Sequence, residues 1–250
     1  MQRLAVIIPA GGTLPAALAS EAVADKSQLR VGDRTLLDTA LDAVLGIEAV
    51  TEVVIGTARP EAVTRRDPRI RFGDPGDSAP QTIRNALQQL SPACDRVLIV
   101  TADLPFVNES AVRDFVANCQ DADFCVGVIP KATFEREYPG STNTYVPLRD
   151  GHFTAAGVFL VRRRAFLEAL RRLDELFAQR KSVVGMAKLL GPMFLIRLIL
   201  RQTDVAEVVA RCEAILGCRG QAVLTAHPSL AFDIDAPDDL AYARAHRHDI

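Results

Sequence analysis

Two adjacent glycines and a lysine near the start of the chain have the types and spacing of a phosphate-binding loop. Gly11 and Gly12 follow the apolar residues 4–8, which predict a buried strand, and Lys26 lies in the next polar stretch. Glycines leave no Cβ in the way of a ligand, and their N–H groups can point at an anion. The three residues together predict a triphosphate cradle. Taken singly, Gly-Gly is usually a plain turn and a loop lysine is usually a solvated charge.

An aspartate occupies the equivalent position after the clearest strand pattern. Residues 96–103 read R-V-L-I-V-T-A-D, and Asp103 ends the run. Ligands bind beyond the carboxyl ends of parallel strands, so this carboxylate and the glycine turn are predicted at one ligand edge. Pro105 prevents a helix from beginning at once and covering Asp103. A turn or cap aspartate is the alternative interpretation.

The segments that would position these residues alternate between strand and helix patterns. Strands are predicted for residues 4–8, 52–56, 69–72, 96–103, 124–129 and 221–225, with a hairpin around residues 150–151. Helix N-caps are predicted at Thr35, Ser78, Asn108 and Asp204, and Pro237 begins a C-terminal helix. This alternation favours an α/β fold, a mostly parallel sheet with helices on both faces.

A helical block at about residues 164–218 interrupts the alternation. No internal repeat, low-complexity segment or linker is visible, so we interpret residues 1–250 as a single domain that carries a helical insertion. The leucine-rich stretch between residues 189 and 216 permits a homo-oligomer.

Composition excludes several other classes of function. A net charge of −2 and a pI near 6.1 give no reason to expect nucleic acid as a partner. The longest late apolar stretch is too short and too interrupted to span a membrane. Five cysteines form no C-x-x-C pair and no zinc spacing, and no secretory signal is visible. We therefore expect a cytoplasmic protein with reduced thiols.

Four ordered signatures resemble those of the MobA-like nucleotidyltransferases. They are I-I-P-A-G-G, a lysine before L-R-V-G-D-R-T-L-L-D, V-L-I-V-T-A-D-L-P-F-V, and F-D-I-D-A-P-D-D-L. Together they span nearly the whole chain in the family's order. The resemblance implies a Rossmann-like three-layer α/β/α fold related to the GT-A glycosyltransferases, in a branch with an extra helical region.

The activity implied by this resemblance is transfer of a nucleoside monophosphate from an NTP to a phosphorylated small molecule, with release of pyrophosphate. Cofactor (molybdopterin-like) or sugar-phosphate metabolism is the expected setting. An acceptor phosphate is already ionised at neutral pH, so positioning and charge neutralisation would provide most of the catalysis. Tyr145, Arg149 and Thr154 are candidates for the acceptor pocket, and packing within the hairpin is an equally good interpretation.

Specific roles follow from the same resemblance. Lys26 would pair with the phosphates, while Asp103 and Asp235 would bind Mg²⁺ or Mn²⁺, which take hard oxygen ligands. Asp233 is two residues before Asp235, shares its face in extended backbone, and would support or replace it. Taken alone, these last acids are explained by the dipole of the C-terminal helix. The residues implied to contact the nucleotide are Ala10, Gly11, Gly12, Lys26, Ser78, Ala102 and Asp103.

The glycine loop departs from the family pattern. Many relatives read A-G-G-x-G-x-R, whereas residues 10–16 read A-G-G-T-L-P-A, without the third glycine and the arginine. The arginine would stabilise charge on the pyrophosphate, and we hypothesise that Arg180 or Lys181 supplies that charge instead.

Two alternative functions stay open. A GT-A-like glycosyltransferase using a nucleotide sugar would need a D-x-D motif after the strand, and residues 101–103 contain only one of its carboxylates. A catalytically weak nucleotide-binding regulatory protein would fit the altered glycine loop.

Overall fold

The computed structural model describes residues 3–179 and 189–246. The strands are β1 (Leu4–Pro9), β2 (Arg30–Val31), β3 (Arg34–Thr35), β4 (Val50–Gly56), β5 (Ile70–Gly73), β6 (Arg96–Val100), β7 (Phe124–Pro130), β8 (Val146–Leu148), β9 (Gly151–Arg162) and β10 (Gly220–Leu224). The helices are α1 (Leu36–Leu45), α2 (Ala79–Gln89), α3 (Glu109–Asn118), α4 (Lys131–Glu137), α5 (Arg163–Gln179), α6 (Pro192–Ile199), α7 (Val205–Leu216) and α8 (Pro237–Ala245).

A mixed, mostly parallel sheet forms the centre of the molecule. Its strand order is β10-β7-β9-β6-β1-β4-β5, and β8 pairs with β9 outside this path. Strand β1 is parallel to both β4 and β6, and β10 is parallel to β7. Strand β9 runs antiparallel to β6, β7 and β8. The predicted α/β fold and the predicted β8–β9 hairpin are both confirmed.

Helices cover both faces of the sheet because its strands are apolar on both sides. In β1, Val6 and Ile8 belong to one buried cluster, together with side chains of α1, α3 and α8. The intervening Ala5 and Ile7 belong to a second cluster, with side chains of α2 and α5. A strand whose successive residues are all buried must lie between two layers. The Rossmann-like three-layer arrangement follows.

The four predicted N-caps begin helices as expected. Each side chain accepts a hydrogen bond from the backbone N–H three residues further on, at 2.9–3.3 Å. A cap satisfies one of the N–H groups that the first helical turn leaves without a partner. The four residues are Thr35, Ser78, Asn108 and Asp204.

The helical region after β9 is described in part. Helix α5 packs on α2 and β9, and α7 packs on β10 and α5. Arg180 and Lys181, to which we assigned the missing loop charge, lie outside the described residues. Helix α6 exposes the apolar side chains of Met193, Ile196 and Ile199. The homo-oligomer that the leucine-rich stretch permits stays a prediction. None of the helices in the described part of the chain has the length and apolarity to cross a membrane.

An aromatic cluster lies beneath the carboxyl ends of the central strands. The ring of Phe106 packs edge-to-face on that of Phe232, with centroids 4.9 Å apart. Phe106 lies shortly after Asp103, and Phe232 directly precedes Asp233. Tyr138, which directly follows α4, stacks on Phe106 with ring centroids 5.0 Å apart. The rings therefore join the two segments that carry the aspartates.

We predict that Phe232→Ala destabilises the protein by about 3–5 kcal/mol, because it leaves a cavity in this cluster. Phe232 is 2% exposed, whereas Phe72 is 37% exposed, which makes Phe72→Ala a matched control expected to cost less than about 1 kcal/mol. Urea denaturation of both variants measures the difference. Equal losses would show that the cluster is not a principal support of the fold.

Candidate active site

The glycine turn and Asp103 lie side by side at one edge of the sheet. Strands β1 and β6 are parallel neighbours with Ile7 opposite Ile99, so the residues that follow them leave the sheet together. On the other side of β6, the N–H of Thr101 donates to the carbonyl of Gly157 in β9 at 2.9 Å. The predicted ligand edge is therefore built on three adjacent strands.

Backbone N–H groups of the glycine turn are available to a ligand. Ala10 donates its N–H to the carbonyl of Gly56 at 2.8 Å. The hydrogen bonds found among residues 3–179 and 189–246 include none donated by the N–H groups of residues 11–14. A Cβ on Gly11 would lie 2.5 Å from Cβ of Pro75, whereas a Cβ on Gly12 would meet no atom within 4 Å. Glycine is thus required by packing at position 11 and leaves open space at position 12.

Thr82, a residue that sequence reasoning missed, holds the loop after β5 to the start of α2, and Pro75 of that loop lies against Gly11. The Thr82 hydroxyl donates to the carbonyl of Ser78 at 3.0 Å and accepts the N–H of Gly76 at 3.1 Å. Thr82 is buried. Ser78 itself caps α2, and its contact with the nucleotide stays a prediction.

The second acidic segment runs beside the first. The N–H of Ile234 donates to the carbonyl of Asp103 at 3.1 Å. Phe232 and Ile234 are buried, so the alternation of extended backbone turns Asp233 and Asp235 towards Asp103. The sequence pattern therefore correctly predicted that the two later aspartates share a face.

Three carboxylates and one ammonium group meet at this edge. One carboxylate oxygen from each of Asp103, Asp233 and Asp235 lies within 4.8 Å of the others. Lys26 Nζ donates to Oδ2 of Asp103 at 2.9 Å and to Oδ1 of Asp235 at 2.6 Å. Of the residues placed here from sequence, these four form the cluster. Ala10, Gly11, Gly12 and Ala102 lie at the adjoining strand ends, and Ser78 lies on the loop packed against them.

The cluster holds more negative than positive charge, and this imbalance shifts the pKa values of its members. Burial and the neighbouring Asp103 and Asp235 charges raise the pKa of Asp233 to about 6, and Lys26 offsets this rise only in part. Burial alone would lower the pKa of Lys26, but the charges and hydrogen bonds of Asp103 and Asp235 outweigh it and raise that pKa. Three carboxylates are therefore held closer than one ammonium can neutralise.

Asp239 fixes the position of Asp235. Its Oδ2 accepts the N–H groups of Asp235 at 3.0 Å and of Ala236 at 2.8 Å, and its Oδ1 accepts the hydroxyl of Thr142 at 3.4 Å. The side chain is buried at the start of α8. The sequence alone indicates only an acidic residue that favours the dipole of α8. Its position three residues after Ala236, in A-P-D-D-L, is the signal that could have revealed its role.

The donor set fits a divalent cation. Carboxylate oxygens are the ligands that Mg²⁺ and Mn²⁺ prefer, and one or two of them with substrate phosphates are sufficient for Mg²⁺. Oδ1 of Asp103 is buried and has no hydrogen-bond partner among the described residues. A cation bound at the cluster would satisfy this oxygen and relieve the repulsion.

The three residues considered for the acceptor pocket each have a packing partner within the protein. Arg149 forms an ion pair with Asp204 at the start of α7. Thr154 is buried and donates its hydroxyl to Asn143 at 3.1 Å. Tyr145 packs against the aromatic cluster through Phe134. Hairpin packing is therefore the interpretation that their contacts favour.

Comparison with known proteins identifies the family. The MobA-like NTP transferase domain matches residues 6–190. The chain belongs to the MobA-like NTP transferase family. Membership makes it an enzyme of the nucleotidyltransferase class, as the four signatures implied. No curated protein matches the chain in sequence.

Solved structures share the fold. A hypothetical transferase from Thermus thermophilus is 28% identical, with a TM-score of 0.84 over 96% of this chain and 100% of its own. The 2-C-methyl-D-erythritol 4-phosphate cytidylyltransferase of the same organism is 21% identical, with a TM-score of 0.59 over 98% of both chains. The Francisella tularensis enzyme of that name is 15% identical, with a TM-score of 0.64 over 100% of both.

The two glycines allow a matched prediction. Gly11→Ala should lower the free energy of unfolding by about 1–3 kcal/mol, because the new methyl group clashes with Pro75. Gly12→Ala should leave stability within about 0.5 kcal/mol of wild type. It should nevertheless weaken NTP binding severalfold, since its methyl group enters the space predicted for the phosphates. Denaturation and calorimetric titration measure the two effects, and normal NTP affinity in Gly12→Ala would place the phosphates elsewhere.

Asp233→Asn should stabilise the ligand-free protein. The charged form of Asp233 is disfavoured in the folded state, so its ionisation costs stability above pH 6, about 1 kcal/mol after allowance for solvent screening. Thermal unfolding should show a gain of a few degrees at pH 8. The gain should shrink as the pH falls from about 6 towards 4, because wild-type Asp233 then becomes protonated in the unfolded chain as well as in the folded protein. Asp238→Asn, in the first turn of α8, is the control. A gain that grows at low pH would contradict this account.

Proposed function

We propose that the protein transfers a nucleoside monophosphate from an NTP to a phosphorylated small molecule, assisted by a divalent cation. An oxygen of the acceptor phosphate attacks the α-phosphorus of the NTP. The bond between the α-phosphorus and the bridging oxygen breaks, and pyrophosphate leaves with the bonding electron pair. A new phosphoanhydride joins the acceptor to the nucleotide.

The observation that carries this proposal is the combination of the carboxylate cluster with the adjoining glycine turn. The turn offers N–H donors for phosphate oxygens, and the cluster offers acceptors for a cation. Phosphoryl chemistry requires both, because charge develops on the transferred group and on the pyrophosphate.

Each group then has a defined task. The N–H groups of residues 11–14 hold the triphosphate in line for attack, while Lys26 neutralises part of its charge. Asp103 and Asp235 would hold the cation, with Asp233 as a third ligand or a support. Bound there, Mg²⁺ or Mn²⁺ would act as a Lewis acid on the phosphate oxygens. Asp239 keeps Asp235 in place.

The acceptor class rests on the relatives and on the shape of the reaction. Two neighbours in fold are named as cytidylyltransferases acting on 2-C-methyl-D-erythritol 4-phosphate. By analogy, a phosphorylated polyol or sugar is our proposal for the acceptor here. Residues 1–250 would form a single domain, since α5 and α7 pack on the sheet and on α2. All five cysteines are free, and we propose a cytoplasmic setting.

One alternative has a specific observation in its favour. Residues 13–16 contain neither the third glycine nor the arginine of many relatives, which favours a nucleotide-binding regulatory protein of weak activity. Such a protein would bind an NTP and form product only slowly. A glycosyltransferase would instead consume a nucleotide sugar.

Labelled nucleotides separate these functions. We predict that, when the enzyme receives Mg²⁺ and a mixture of phosphorylated sugars and polyols, α-³²P-NTP labels the acceptor product, whereas γ-³²P-NTP labels only the released pyrophosphate. Asp103→Asn should lower the rate by at least about 100-fold, the order found when one electrostatic stabiliser is removed. Asp238→Asn is a matched control that should keep the wild-type rate. Binding of NTP without product from any acceptor would favour the regulatory protein.

A further inference from the structure

We propose that Lys26 exchanges between the carboxylate cluster and the triphosphate, so that the cation and the nucleotide bind cooperatively. This inference rests on the proposed function. In the ligand-free protein the ammonium group would occupy the cation's place. Nucleotide binding would draw it away and open the carboxylates.

The starting position of the ammonium group carries the argument. Lys26 Nζ bridges Asp103 at 2.9 Å and Asp235 at 2.6 Å, two of the three carboxylates of the cluster. A cation bound to Oδ1 of Asp103 and to a carboxylate oxygen of Asp235 would lie about 2.1 Å from each. Two positive centres held by the same two carboxylates lie close enough for strong repulsion. Lys26 and the cation therefore compete for the cluster.

The backbone around Lys26 is fixed, and only its side chain has to move. Lys26 begins a short 3₁₀ turn capped by Asp25, whose Oδ1 accepts the N–H of Ser27 at 3.0 Å and its hydroxyl at 2.5 Å. Asp25 and Ser27 are both buried. The four-carbon stem of lysine can nevertheless swing its ammonium group between partners. Exchange is therefore possible without rearranging the loop.

A triphosphate is the partner that would make the exchange favourable. If the ammonium group of Lys26 moved into water, it would leave three mutually repelling carboxylates without a counter-charge. Hydration of the ammonium group would be the only gain. A triphosphate held by residues 11–14 offers new anionic oxygens at the same edge, while a cation takes over the carboxylates. Both charges are then neutralised at once. The chain thus favours simultaneous entry of the two ligands over entry of either alone.

A thermodynamic cycle tests this coupling. Mn²⁺ affinity is measured by electron paramagnetic resonance for wild type and Lys26→Met, first alone and then with inorganic tripolyphosphate at one concentration that saturates both proteins. Chelation of Mn²⁺ by free tripolyphosphate is the same for both proteins and cancels from their ratio. We expect Lys26→Met to bind Mn²⁺ about tenfold more tightly than wild type when it is alone. With tripolyphosphate the two affinities should become equal within about twofold.

Other outcomes identify what has failed. The exchange is overturned if the ratio of the Mn²⁺ affinities of Lys26→Met and wild type is the same with and without tripolyphosphate, whether that ratio is ten or one. A ratio that does not change indicates simple charge repulsion, which does not depend on the nucleotide. Wild type that binds no Mn²⁺ under either condition would overturn the proposed function itself. Lys131→Met is the control, since Lys131 also lies at this edge of the sheet, after β7, but pairs with Glu135 at 3.4 Å. It should leave the Mn²⁺ affinity unchanged in both conditions.

Discussion

The mutual repulsion of three carboxylates is the constraint on which this edge of the molecule depends. Asp103, Asp233 and Asp235 repel one another, and burial together with the charges of Asp103 and Asp235 raises the pKa of Asp233. One ammonium group, from Lys26, partly offsets that repulsion. The site therefore stores unfavourable energy that a cation and a triphosphate would release, a common arrangement at functional sites.

Rigid surroundings make this concentration of charge sustainable. Asp103 follows a central strand, and the backbone bond from Ile234 to Asp103 ties the second acidic segment to the first. Beneath them, Phe106 and Phe232 pack together, so that separating the aspartates would also open an aromatic core. Asp239 holds the last carboxylate from the other side. Positioning and packing are thus supplied by the same few residues.

Local patterns made much of the fold predictable from sequence. Apolar runs marked the strands, and Thr35, Ser78, Asn108 and Asp204 cap helices because each satisfies N–H groups within its own turn. The side on which Asp233 and Asp235 point also follows from local alternation. Such features depend on residues within a few positions of one another.

Features that depend on distant parts of the chain were not predictable in the same way. Lys26 was expected to pair with the phosphates, and its contact with Asp235, which is 209 positions away, was not foreseen. Asp239 also accepts the hydroxyl of Thr142, which is 97 positions away. Tyr145, Arg149 and Thr154 stayed ambiguous for the same reason, because side-chain type does not reveal whether a hairpin residue faces a ligand or its own fold.

The most direct test of the account is a crystal structure with Mn²⁺ and a non-hydrolysable NTP analogue, with the metal located by anomalous diffraction. We expect one peak at about 2.2 Å from oxygens of Asp103 and of Asp235 or Asp233. The triphosphate should lie along residues 11–14, with the ammonium group of Lys26 on its oxygens. A metal bound away from these carboxylates, or a nucleotide at another edge of the sheet, would contradict the account.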